Sequence, residues 1–466
     1  MLFHIDVLLH KSTRLHLLTV CCILVGITSI VILSSALWTT QSFGYTTVVD
    51  APRVVSGTGL NTLASGAELD LFDSSLYLRG SPTDKFRDNL LSDTLYITSW
   101  ISAGWTNDVM TYMNLIYLGI LTNRVPIVPM FTPSHIGGGV PPINFGEVFD
   151  MRRLRIGMNK PVIEWHEVKN RSSEVIDEVG CWNTWEAVQQ HEHFPRRSSV
   201  PNRLKLDISY TRAPSWIKLI PHFEHDRFAD FSSLAVLAFP EGRKEYATEP
   251  RESPESHTRL PPDEHMLCYD YLYYVCTHQS YEFDFDYSPA WFFVGQFMHW
   301  TPKLESLADV YIRKAFGTER TAETPPWIAI HVRHGDFLDW CGQTPMDSCF
   351  ASVSVIARRV EEVQQEILER KRIYVQHVIM TSDEKNATWW NSVAERGWFR
   401  IDSNDTVQHY GAWYPLLIDA VIQSGGLGFV GTDRSTMSVL ARRRVQSWRD
   451  GAVRTIRWGR PDSDAH

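Results

Sequence analysis

The sequence predicts an α/β protein: two Rossmann-like domains facing a cleft, preceded by one N-terminal transmembrane helix. Three observations carry this expectation. Short apolar runs alternate with helical stretches in two regions of the chain, an irregular aromatic-rich middle separates those regions, and one long apolar segment lies near the N-terminus.

The chain has 466 residues, room for about two or three domains. Its hydrophobic fraction of 44% is enough to build full cores, and the net charge of -9 gives no support to a nucleic-acid partner, which calls for a basic face. From Leu15 to Trp38 there is no Asp, Glu, Lys or Arg, and His16 is the one basic side chain. At about 1.5 Å per residue a helix of that length crosses a bilayer core of about 30 Å. Lys11 and Arg14 precede it and no Lys or Arg follows until Arg53, so the positive-inside rule puts the tail (1–14) in the cytosol and makes the body lumenal or extracellular. A cleaved signal peptide, with Ser34 and Ala36 as its small residues, is the alternative; the length of the apolar region counts against it. Residues 39–91, rich in Ser, Thr, Gly and Asp without periodicity, read as a stem.

The N-terminal domain is expected over 92–300. Thr94 to Trp100 reads as a strand, Gly104 to Asn107 as a turn, Asp108 to Leu121 as a helix that Asn123 can close, and Val125 to Pro129 as a second strand, a βαβ unit with a parallel pair. The middle is less legible, and the polar stretch near 241–264 reads as a surface insertion. The C-terminal domain is expected over 301–466. Its elements are a strand from Trp327, a charged helix from Ser352 to Lys371, a strand His377 to Thr381 and a helix from Asn386. A helix Gly411 to Ser424, a strand Leu427 to Gly431 and a last helix Ser435 to Trp448 follow.

Of the seven cysteines, Cys21 and Cys22 fall in the anchor. Equal short spacings suggest Cys268 with Cys276 and Cys341 with Cys349, leaving Cys181 free, a pattern suited to an oxidising compartment. No Cys-x-x-Cys pair or His-Glu-x-x-His helix supports a zinc site. Asn170, Asn386 and Asn404 begin N-glycosylation sequons, which agree with a secretory-pathway address.

The run Trp327 to Val332 ends in Arg333, His334 and Asp336, and ligands of open α/β sheets gather at such strand ends. The guanidinium of Arg333 suits a phosphate, although a structural pair with Asp336 is the alternative. Gly431 to Thr436 joins a strand to a helix, where backbone N–H groups and the helix dipole favour an anion; Ser435 or Thr436 can contact it or cap the helix. Asp383 follows another strand and can accept from a nucleoside or cap the next helix. Asp419, alone in an apolar helix, is costly unless paired or exposed. Asn107 can bond a phosphate or sugar, or cap its helix, and Asp108 can act as a base. The glycines here lack the dinucleotide fingerprint, so a nicotinamide or flavin cofactor has no support.

Taken in order, Gly104 to Asn107 with Asn123-Arg124, His331 to Asp336, Thr381 to Asp383 and Phe429 to Thr436 resemble the motifs of GDP-fucose-dependent fucosyltransferases, in particular the protein O-fucosyltransferase family and its α1,6-fucosyltransferase relatives. The resemblance implies a GT-B-like fold and transfer of fucose from GDP-fucose to a protein hydroxyl or glycan acceptor, with inversion, no metal and no cofactor beyond the donor. It implies Arg333 on the β-phosphate of the leaving diphosphate. Ser435 and Thr436 would take phosphate oxygens, Asp383 the nucleoside and Asn107 the sugar or pyrophosphate, with His331, Asp336 and Thr432 completing the donor site. His334 stands where many relatives carry a second Arg, and Asp108 where Gln is frequent; Asp108 is the candidate base. Anchor, stem and lumenal body form the usual layout of a type II membrane glycosyltransferase of the Golgi or endoplasmic reticulum. A catalytically silent lumenal glycan- or protein-binding module of the same fold is the alternative.

Overall fold

Helices cover both faces of a doubly wound sheet, so its central strands have no solvent face and are written as short unbroken apolar runs. The computed structural model describes residues 71–244, 248–319, 322–461 and 463–464. The expected tail, the anchor at Leu15 to Trp38 and most of the stem lie outside them. Among the described residues no helix is long and apolar enough to cross a membrane.

The strands are β1 (Tyr96–Ser99), β2 (Val125–Val128), β3 (Ile163–Glu164), β4 (Asp177–Asn183), β5 (Leu206–Arg212), β6 (Ala229–Asp230), β7 (Met266–Tyr269), β8 (Val275–Cys276), β9 (Trp327–Val332), β10 (His377–Ser382), β11 (Phe399–Arg400), β12 (Gly428–Thr432) and β13 (Ala452–Ile456). One sheet has the order β3-β2-β1-β7-β4-β5, the second β11-β10-β9-β12-β13, and β6 pairs with β8 alone. Every pairing is parallel. The longer helices are α1 (Trp105–Thr122), α2 (Pro302–Phe316), α3 (Val353–Lys371), α4 (Tyr414–Gly425) and α5 (Thr436–Arg449). This is the expected α/β architecture of two doubly wound halves, consistent with a GT-B-like arrangement.

The halves share a core. Apolar packing that starts around Ile97 and Leu115 runs on through Leu304 and Ile312 of α2, Leu417 of α4 and Leu440 of α5. Arg444 of α5 is buried with its guanidinium 4.3 Å from the Trp300 ring centroid, and burial pushes its pKa down to about 9.

Several expectations are corrected. α1 opens at Trp105 rather than Asp108, because Gly104 occupies the cap position and its carbonyl accepts the Asp108 N–H; Asn123, with φ 51°, closes the helix as expected. Residues 73–90, assigned above to the stem, belong to the body: Phe86 is buried, the Asn89 amide donates to the carbonyls of Glu167 and Val168, and the Tyr96 hydroxyl donates to the Tyr77 carbonyl. The segment near 241–264 includes a helix (Pro240–Lys244), and its loop is pinned to β5, where the Asp207 carboxylate accepts from Ser253, Glu255 and Ser256.

The disulfide reading is half right. Cys341 pairs with Cys349, but Cys268 pairs with Cys181 and leaves Cys276 as a buried free thiol. The cause is sheet adjacency: β7 lies beside β4 with Trp182 opposite Tyr269, so the preceding residues, Cys181 and Cys268, stand 4.5 Å apart at their Cα atoms.

Asp419 of α4 is half-buried and makes no ion pair among the described residues; burial pushes its pKa up to about 7, weakly opposed by Arg400. A folded pKa above the ordinary 3.8 means its contribution to stability is full below about pH 4 and lost as pH rises through 7. Asp419→Asn is therefore expected to raise the thermal midpoint at pH 8 and leave it unchanged at pH 4. Equal midpoints at pH 8 would remove Asp419 as a cost of folding.

Candidate active site

In the second sheet the chain steps from β9 to β10 to β11 on one side and returns as β12 on the other. Such a reversal opens a crevice beyond the carboxyl ends of the two strands that part there, β9 and β12. The first sheet reverses likewise at β1, and the loop leaving β1 leads into α1. The two strand ends face one cleft of about 1160 Å³, lined by Gly104 to Asn107 on one side and by His331, Arg333, Asp336, Arg434, Ser435 and Thr436 on the other.

Arg333 is the first residue past β9. Its N–H donates to the Thr432 hydroxyl at 2.9 Å, and that hydroxyl in turn donates to the His331 carbonyl at 3.0 Å. Thr432 therefore stitches β9 to β12 and is buried beneath the cleft, rather than meeting a donor directly as expected. The guanidinium of Arg333, 37% exposed, lies 2.7 Å from Asp336 and 2.8 Å from Asp383. Both alternatives for Arg333 are thus realised: it lines the cleft and it is paired. Asp336 is 65% exposed, so its pair is weak, of order 0–1 kcal/mol. Asp383 is not among the residues that line the cleft; one of its oxygens meets the Arg333 guanidinium and the second accepts the His334 N–H at 2.8 Å, so it orients Arg333 and the β9 loop. Nor does it cap the following helix, whose cap is Asn386.

His334, buried, holds Glu384 at 2.6 Å. Burial works against that carboxylate, yet His334 and the N–H groups of Asn386 and Lys385 keep its pKa below the usual value. The loops after β9 and β10 are clamped together by this pair. His331 lines the cleft, and its Nδ1 lies 2.8 Å from the Ser438 hydroxyl, which accepts the Thr432 N–H. Burial, then the charge of Arg333, pushes its pKa down to about 4, so the ring is neutral at physiological pH.

α1 and α5 meet at their N-termini. The hydroxyls of Thr106 and Thr436, one in each first turn, lie 2.7 Å apart. Neither helix has a side-chain cap: Gly104 has no side chain, and Ser435, although at the cap position, makes no capping bond. First-turn amides of both helices are therefore left to the cleft, and their dipoles add to the charge of Arg333. Arg434 brings a second guanidinium there, from a residue in the left-handed region (φ 63°) and packed over Trp458.

Asn107 lines the cleft as the third residue of α1, so the capping alternative is excluded for it. Asp108 is wholly buried and absent from the cleft wall. One of its oxygens accepts the Ala103 N–H at 3.0 Å, and burial holds its pKa well above the carboxylate range. Its place is beneath the loop that shapes the cleft, so the candidate base is corrected to a loop-positioning residue. The reading from sequence missed Thr106 and Arg434, and also Trp340, stacked on Phe337 at 5.0 Å and facing the cleft. Both Arg434 and Thr106 had a signal, Arg434 lying within the Gly431 to Thr436 stretch and Thr106 within Gly104 to Asn107. The sequon residues Asn170, Asn386 and Asn404 are all exposed.

No family model matches the sequence, and no curated protein matches it. Among solved structures the chain is similar to POFUT1 in complex with GDP-fucose, with a TM-score of 0.47 and 12% identity, covering 78% of this chain and 98% of that one. It is similar also to the fucosyltransferase NodZ from Bradyrhizobium, with a TM-score of 0.39 and 12% identity, covering 75% of this chain and 93% of that one.

Proposed function

We propose that this chain is a glycosyltransferase that moves fucose from GDP-fucose to a protein hydroxyl or glycan acceptor, with inversion and without a metal ion. One observation carries the reading: Arg333 stands beside two uncapped helix N-termini in a cleft at a sheet reversal. When the fucosyl C–O bond breaks, its electron pair passes to a β-phosphate oxygen. Arg333 and the first-turn amides of α5 stabilise that charge, and preorganised donors of this kind cost no reorganisation at the moment of reaction. The exposed Asp336 gives way to the diphosphate, while Asp383 keeps the guanidinium oriented. Ser435 and Thr436 take phosphate oxygens, and the Asn107 amide reaches the sugar. A lumenal address belongs to the same reading, supported by the apolar segment Leu15 to Trp38, two disulfides and three exposed sequons.

One observation favours a silent binding module instead: both carboxylates already occupy Arg333. Titration of the protein with GDP separates the readings. Binding that raises the thermal midpoint is expected, followed by slow hydrolysis of GDP-fucose; no binding would sink the GDP-sugar reading, and binding without turnover of any GDP-sugar would favour the module.

A further inference from the structure

The cleft has a second wall, built of aromatic rings. β6 and β8 pair with Ala229 opposite Val275, so the preceding residues, Phe228 and Tyr274, come side by side with ring centroids 5.6 Å apart. Tyr281 meets the same phenylalanine at 5.3 Å and 73°, and Tyr273 stands edge-on to Tyr274 at 4.9 Å. All four rings line the cleft. Tyr281 is 62% exposed and has φ 60°, a backbone conformation that bulky side chains rarely adopt. It persists because its surroundings fix it. The buried Glu282 carboxylate accepts the N–H groups of His278 and Gln279, and the Tyr281 carbonyl accepts that of Asp284. Strain of this kind gathers where a side chain is held out for a ligand.

We propose that this aromatic corner is the acceptor subsite and that it takes a sugar ring of a neutral oligosaccharide, stacked on Tyr281. The inference rests on the glycosyltransferase reading and selects a glycan over a protein hydroxyl. A pyranose offers a face of C–H groups and a rim of hydroxyls. A tyrosine offers the matching pair, an apolar face and a polar tip. The Asp284 carboxylate, held 2.9 Å from Arg442, lines the same part of the cleft and can accept from a sugar hydroxyl. A Ser or Thr side chain is too short to cover these rings.

The test is calorimetric binding, with and without GDP, of cellotetraose, mannotetraose, chitotetraose and a Ser/Thr-containing peptide to the parent, Tyr281→Ala and Tyr281→Phe. At least one oligosaccharide is expected to bind, about tenfold more weakly to Tyr281→Ala and nearly as well to Tyr281→Phe, which keeps the ring. Peptide binding alone, binding of no oligosaccharide, or equal affinity in Tyr281→Ala would overturn the proposal. GDP affinity is expected to be the same in all three proteins. Its absence throughout would sink the donor reading and leave the oligosaccharide result to be judged separately.

Discussion

Arg333→Ala is expected to slow cleavage of GDP-fucose by about 10²–10³-fold, the usual loss when one preorganised donor to a developing anion is removed, roughly 3–4 kcal/mol of barrier. GDP should also bind more weakly, because the product diphosphate keeps the charge that Arg333 meets. The fold should survive: Arg333 is more than a third exposed, and its partners Asp336 and Asp383 both reach solvent once it is gone. A companion change, Asp383→Asn, keeps the guanidinium but loosens its aim, so kcat should fall further than GDP affinity. Equal hydrolysis rates in the parent and Arg333→Ala would take Arg333 out of the reaction altogether.

Replacing Cys181 and Cys268 together by Ser is expected to cost about 4–5 kcal/mol, because that disulfide closes a loop of 87 residues in the unfolded chain. The Cys341–Cys349 bridge, with a separation of 8, should be worth about 2–3 kcal/mol by the same argument. Denaturant midpoints of the two double variants rank them, and a smaller loss for Cys181/Cys268 would show that the unfolded chain already holds those strands together. A reducing agent, which opens both bridges, should lower stability by more than either double variant.

What could be read from the sequence follows from which forces were local. β9 was legible because Ile328, Ala329 and Ile330 are buried on both faces of a parallel sheet, and the abrupt charge after Val332 marked its carboxyl end. β5 was not. Its polar residues Asp207, Ser209 and Thr211 are buried as well, two of them bonded by the 250–264 loop, so its pattern never announces a core strand. The cysteine pairing misled for a related reason: eight residues of chain looked nearer than a neighbouring strand 87 residues away. At the site, the strand end and the β12–α5 turn were local and were found, whereas the Thr106–Thr436 contact joins residues 330 apart and leaves no trace in either neighbourhood. Asn107 and Asp108 were set apart by helical geometry, the first lining the cleft and the second buried. Adjacent positions on a helix point about 100° apart, so one faces the cleft and the other the core.

The position of β7 also bears on how the chain is made. It lies between β1 and β4 near the middle of its sheet, yet it is the last of those six strands to be synthesised. Until Tyr269 leaves the ribosome, β1–β2–β3 and β4–β5 can form only as two fragments, each with an unpaired edge where β7 will insert. The N-terminal half is thus a late-closing structure of high contact order, slow to assemble and exposed to misassociation while it waits. Oxidation of Cys181 with Cys268 then records, in a covalent bond, that the missing strand has arrived.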